Sequence, residues 1–204
     1  MMNLPAPPTP HPLLLPLPSD LALQVTPEQF AALVAANRDL RFERTATGEL
    51  IVNPPTGGGS GKRNLSISGQ LSNWFEANDT LGEAFDSSTG FKLPNGANRS
   101  PDASWVRKDR WEALTLEEQE GVVPLCPDFV VELRSPTDRL QALREKMQEY
   151  MENGAQLGWL INPPQKQVEI YRSGQEVEVL DHPSTLSGEA VLPDFTLSLK
   201  RIWT

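Results

Sequence analysis

Apolar residues recur at three- and four-residue spacing in three stretches of the chain and alternate with polar ones in most of the others, which predicts a few helices among many short strands. Thr26 stands as an N-cap before Pro27, and Gln29 completes a Thr-x-x-Gln capping box. With the stripe of Phe30, Leu33 and Val34, these residues predict a helix near 27–37. Leu40–Arg44 and Glu49–Val52 read as strands around Thr45–Gly48, and 53–61 as a Pro/Gly-rich loop. A second helix is expected over 62–78 with Leu65, Leu71, Trp74 and Phe75 inward. Short strands follow at Glu83–Asp86, Thr89–Leu93 and Asp102–Arg107, with a hairpin turn at Asn95-Gly96. Residues 108–126 read as a charged excursion that leaves Glu112, Glu117, Glu118 and Glu120 in solvent. Phe129–Arg134 is dense in β-formers. Over 138–153, Leu140, Leu143, Met147, Tyr150 and Met151 share one helical face, and Gly154 is a natural stop. Strands at Leu157–Ile161, Gln167–Arg172 and Glu176–Leu180 complete the reading, an α+β or α/β chain with a mixed sheet and a few flanking helices.

Composition narrows this. The chain has 204 residues, 38% of them hydrophobic, enough for one core, and no apolar run long enough to span a membrane. A single cysteine, Cys126, excludes an internal disulfide framework. Residues 1–22 are expected to be a proline-rich tail, extended or disordered, ahead of one domain over 23–204. The patch at Leu13–Leu17 lacks a positive flank and is interrupted by Pro16, so a cytoplasmic protein is expected rather than an exported one. The formal charge of −9 repels nucleic acid at long range, and any such partner needs a local basic surface.

Several motifs fail on inspection. Thr56-Gly-Gly-Gly-Ser-Gly61-Lys62-Arg63 departs from a phosphate-binding loop at both ends, with Thr56 in place of Gly and Arg63 in place of Ser or Thr, and reads as a flexible loop. The two histidines, His11 and His182, form no zinc pair, and Cys126 reads as a buried structural thiol. The informative segment is 99–150. Asp102 opens a strand, where Asp is rare. In Asp128–Arg134, alternation places Phe129, Val131 and Leu133 on one face and Asp128, Val130, Glu132 and Arg134 on the other. A solvent-facing edge strand would explain that pattern equally well. Lys146, however, lies inside the apolar stripe of the following helix, facing the sheet. It is either a snorkelling lysine or a partner for Glu132. Asp102, Glu132 and Lys146 together suit metal-assisted phosphodiester chemistry: two carboxylates can ligate Mg²⁺ (or Mn²⁺), and the lysine can orient or help deprotonate a water, or stabilise the phosphorane.

These residues carry a family resemblance. Glu43–Glu49, Ser87–Gly96, Arg99-Ser-Pro-Asp102, Pro127–Pro136, and Glu145–Tyr150 leading to Gly154 and Gly158–Pro163 are similar to the Uma2-type endonucleases of the PD-(D/E)xK superfamily, over about residues 26–172. The resemblance implies a restriction-endonuclease-like core, with Asp102 and Glu132 as the motif's acids and metal ligands. Arg134 stands where the superfamily usually has its lysine; an arginine cannot act as a base, and Lys146 on the next helix fits the displaced role. By the same resemblance Glu43 assists as an additional catalytic carboxylate. The expected activity is Mg²⁺-dependent endonuclease cleavage of DNA in preference to RNA, with a homodimer as a possible assembly and no membrane partner. Eight basic residues between 99 and 146 offer a local offset to the acidic net charge within the Debye length of about 8 Å. The competing readings are a catalytically inactive nuclease-fold module binding nucleic acid or protein, and a metal-dependent phosphohydrolase for a smaller substrate.

Overall fold

The capping box expected at Thr26 forms: its hydroxyl accepts from the Gln29 amide and the Gln29 side chain accepts from the Thr26 amide, starting α1 (Pro27–Ala36). The computed structural model describes residues 23–204, and the tail expected over 1–22 lies outside the described residues. After α1 come β1 (Arg41–Arg44), β2 (Leu50–Asn53), α2 (Gly58–Ala77), β3 (Gly82–Asp86), β4 (Phe91–Lys92), β5 (Asn98–Arg99) and β6 (Ala103–Arg107). Two short helices, α3 (Lys108–Glu112) and α4 (Leu116–Glu120), precede β7 (Phe129–Leu133) and α5 (Leu140–Glu152). The chain closes with β8 (Leu157–Asn162), β9 (Gln167–Arg172), β10 (Glu178–Asp181), β11 (Thr185–Ser187) and β12 (Thr196–Ser198).

The fold is α+β. Its main sheet has six strands in the order β10-β9-β8-β7-β6-β3, all antiparallel neighbours except the parallel pair β7–β8, which α5 connects. A smaller sheet, β2-β1-β5-β4, lies beside it, and β11 pairs with β12. Strand β7 sits inside the main sheet with all five residues buried, so the edge-strand reading of Asp128–Arg134 does not hold. Alternation along β7 divides the interior. Phe129, Val131 and Leu133 face a core with Ile67, Leu71 and Trp74 of α2, while Val130 joins Met147 and Tyr150 of α5 on the other side. The sheet is thereby covered on both faces. Gly82 is required where β3 meets β6, because a Cβ there would collide with the Val106 carbonyl and the Trp105 ring.

Three expectations need correction. Helix α2 begins at Gly58, not Lys62, so most of the glycine-rich run is helical rather than a loop. Its inward stripe is Ser60, Asn64, Ile67, Leu71 and Trp74, at alternating spacings of four and three, and Leu65, expected inward, falls outside that stripe and is 75% exposed. The charged excursion holds α3 and α4, the latter started by a second capping box between Thr115 and Glu118. The segment after residue 181, left without elements by pattern alone, supplies Leu186, Leu192, Phe195, Leu197, Leu199 and Ile202 to the core. Phe195 there stacks against Trp159 with ring centroids 6.0 Å apart.

Candidate active site

The seam between the two sheets collects the charged residues singled out above. Glu43 comes from β1 of the small sheet, Asp102 from the link between β5 and β6, Glu132 from β7 and Lys146 from α5. All four line one cavity of about 500 Å³. Lys146 Nζ lies 2.7 Å from Glu132 Oε1 and 3.0 Å from Glu43 Oε1, with the Ser100 carbonyl at 3.5 Å. Its side chain is only 11% exposed, so it is a buried counter-charge and not a snorkelling lysine. Asp102 Oδ2 accepts the Leu133 amide at 2.8 Å, which ties it to the end of β7, and Asp102 Oδ1 accepts from Asn64 Nδ2 of α2 at 3.0 Å.

Residues outside the predicted set complete the network. Arg99 Nη1 reaches Glu43 Oε2 at 3.3 Å and its Nε pairs with Glu149. Tyr150 donates its hydroxyl to Glu132 Oε1 at 3.0 Å. Apolar spacing and the Glu145–Tyr150 stretch marked Tyr150 in the sequence, and both it and Arg99 lay within quoted motifs without a role. Arg134, at the usual lysine position, turns away from the cluster: its Nη1 donates to Asn162 Oδ1 and its Nε to the Asp138 carbonyl.

Burial and charge set the protonation states. Burial raises Glu132 to about 7; Lys146 opposes this, and the neighbouring Asp102 and Glu43 reinforce it. Burial also raises Asp102, against the Leu133 hydrogen bond and the Lys146 charge. For Glu43, burial is outweighed by Lys146 and Arg99 together, which hold its carboxyl below the usual range. Lys146 is desolvated too, yet Glu132 and Glu43 raise it, so it stays an ammonium. Burial and the charges of Glu132 and Glu43 push the Tyr150 hydroxyl far up, leaving it a neutral donor.

Two buried carboxylates, Glu43 and Glu132, therefore pair with Lys146 and Arg99, the half-buried Asp102 lies beside them, and Arg99 is shared with Glu149. Among the described residues no group of three His, Cys, Asp or Glu side chains is arranged to hold a metal ion by itself. The donor set nevertheless suits a hard divalent cation that needs one or two carboxylates and takes its other ligands from water and substrate. Among the described residues Asp102 has no ion pair, and with the neighbouring Glu132 it supplies the two carboxylates.

The chain resembles known proteins in the same region. The model of the Uma2 family, described as "Putative restriction endonuclease", matches residues 27–200. The chain belongs to the Uma2 family. No curated protein matches it. Among solved structures, a putative nuclease belonging to DUF820 from Anabaena variabilis is similar at 22% identity and a TM-score of 0.67, covering 79% of this chain and 89% of that one. Such a likeness establishes the shared fold, and membership of Uma2 supports a nuclease role.

Two features of this Uma2 chain bear on partners. Of the eight basic residues between 99 and 146, Arg99, Arg107, Lys108, Arg110, Arg144 and Lys146 are ion-paired within the protein, so the local basic surface expected from the sequence is largely neutralised. Among the described residues no helix is long and apolar enough to cross a membrane. Cys126 is fully buried and its thiol is pushed up to about 12, chiefly by desolvation. In the native protein at pH 8 iodoacetamide is therefore expected to label it about a thousandfold more slowly than in the urea-unfolded chain. Equal rates would contradict its burial.

Proposed function

We propose that the protein is a metal-dependent endonuclease that hydrolyses DNA phosphodiester bonds, using Asp102 and Glu132 to hold Mg²⁺ or Mn²⁺. The observation that carries this reading is the buried Lys146 ammonium set between Glu132 and Glu43 in a cavity that Asp102 shares. A divalent cation bound there would supply Lewis-acid stabilisation of phosphate charge and lower the pKa of a bound water. The protein's own groups have separable tasks. Asp102 is fixed by the Leu133 amide and Asn64, each of which leaves lone pairs directed elsewhere. Glu132 must lose its proton to serve as a ligand, and its pKa near 7 makes that loss inexpensive at neutral pH. Lys146, kept protonated by its two carboxylates, acts as a hydrogen-bond donor and positive charge toward a phosphoryl oxygen or attacking water, not as the base. Glu43 and Arg99 hold Lys146 in place.

The test is cleavage of plasmid and single-stranded DNA and of RNA with Mg²⁺ or Mn²⁺, comparing wild type with Asp102→Asn and Glu132→Gln. Both variants are expected to lose about a thousandfold in rate, equivalent to about 4 kcal/mol of transition-state stabilisation, while remaining folded. A folded wild type without cleavage under either metal would favour an inactive nuclease-fold module. The internal pairing of Arg107, Lys108, Arg110 and Arg144 supports that second reading.

A further inference from the structure

The opposite wall of the same cavity is built from the start of α2, where Gly57, Gly59, Ser60, Arg63 and Asn64 line it together with Arg41. The first-turn amides of an α-helix have no intrahelical acceptor. Among the described residues no side chain replaces one: the N-cap is Gly57, with no side-chain cap, and no acidic residue stands in the first turn. The glycines are not demanded by backbone geometry or packing. None of Gly57, Gly58 or Gly59 has positive φ. A Cβ on Gly57 or Gly58 would meet nothing within 4 Å, and one on Gly59 only the tip of Arg63 at 3.5 Å. Gly58 and Gly59 are poor helix formers, and neither packing nor backbone geometry within the described residues accounts for them at this helix start.

Two side chains point independently to a ligand. Ser60 is 8% exposed, lines the cavity, and its hydroxyl has no hydrogen-bond partner among the described residues. Arg41 Nε is buried without a partner, and Arg41 forms no ion pair among the described residues. Arg63 is held by main-chain oxygens of Ile202, Gly59 and Thr204. Unpaired amides, a free hydroxyl and a guanidinium with an unpartnered Nε suit an anion with several oxygens. Ser60 and Asn64 lie on one face of α2 about 6 Å apart along its axis, and Asn64 is the residue bonded to Asp102.

We propose that the N-terminal turn of α2, with Ser60, Arg41 and Arg63, binds a phosphate group of a nucleic-acid strand next to the phosphate held at the carboxylate–lysine cluster. The substrate assignment rests on the nuclease reading; the anion site itself does not. It gives an acidic protein a focused phosphate grip that a general basic surface does not supply, and it sets the register in which a strand crosses the cavity.

Gly57→Asp tests it. Gly57 already has the extended φ of −67° and ψ of 156° of an N-cap, so an aspartate there would cap the free amides, strengthen the helix and repel phosphate. Binding is measured in EDTA, where no cleavage occurs, with inorganic phosphate by calorimetry and with a short fluorescein-labelled single-stranded DNA by anisotropy. Gly57→Asp is expected to weaken both by about tenfold or more with an unchanged or raised melting temperature, and Ser60→Ala to weaken both severalfold. Wild-type affinity in Gly57→Asp, or no binding of either probe by wild type, overturns the site. Loss of phosphate binding with DNA binding unchanged overturns the strand assignment. Metal-dependent cleavage that persists while Gly57→Asp binds as wild type removes this site alone; Gly57-dependent binding without any cleavage removes the nuclease reading alone.

Discussion

Lys146→Met is expected to lower the unfolding free energy by about 3–5 kcal/mol at pH 8, because it leaves buried carboxylates without their nearest cation. Methionine preserves most of the volume beside Tyr150, so the loss reads charge and not a cavity. The sign of its pH dependence follows from the groups that face Nζ: Glu43 on β1, Asp102 before β6, Glu132 on β7, and Tyr150 on the same helix. A carboxyl raised on folding, as Glu132 is to about 7, favours the native state while protonated and loses that contribution as pH climbs through its folded value. Removing Lys146 takes away a charge that lowers it and raises it further. The deficit of Lys146→Met is therefore expected to be largest above pH 7 and to shrink toward pH 5. Urea denaturation at both pH values measures it, and a deficit equal at the two would show that Lys146 is not the counter-charge of this cluster.

Arg99→Met is expected to cost about 3 kcal/mol by the same physics, with a different neighbour carrying the penalty. Arg99 is 8% exposed and bridges Glu43 to Glu149, so its loss releases the half-buried Glu149 to solvent and leaves Glu43 leaning on Lys146 alone. The two substitutions share Glu43, and their effects are expected to be non-additive by about 0.5–3 kcal/mol. Once one cation is gone, Glu43 can accept a proton, and removal of the second costs less. Adding Glu43→Gln to Arg99→Met is expected to restore part of the stability, since the buried charge disappears with its partner. No recovery would place the cost of Arg99→Met in its contact with Glu149.

What could be read in the sequence was local or periodic. The Thr26 and Gln29 cap, the glycine stop after α5 and the alternation along β7 each depend on residues a few positions apart, and each forms in the structure. Lys146 stood out because a charge inside an apolar stripe violates the pattern, and the violation marks the site. Arg99 and Tyr150 broke no rule: one sits in the two-residue strand β5 within a polar stretch, the other fits a core position, and only the meeting of two sheets gives them roles. The start of α2 was misplaced for a physical reason. Glycine carries no local signal for a helix, and this turn is held by distant contacts such as Arg63 to the Ile202 carbonyl. Those four extra residues bring Ser60 into the helix, on the face that carries Asn64 to the cavity wall. The segment after 181 was unreadable because its strands span three residues each and its apolar side chains have no period of their own.

The parallel pairing of β7 with β8 sets an order of assembly. A parallel pair cannot close through a tight turn, so β7, α5 and β8 have to form as one contiguous unit spanning residues 129–162. That unit already contains Glu132, Lys146 and Tyr150, while the Lys146–Glu43 contact closes a loop of 103 residues. Loop-closure entropy favours the short span first. The ammonium and one acid can thus meet early as a balanced pair, and the remaining negative charge arrives when the small sheet docks. Breathing of that small sheet in the native state would reverse only this last step, opening the seam while leaving the inner pair intact.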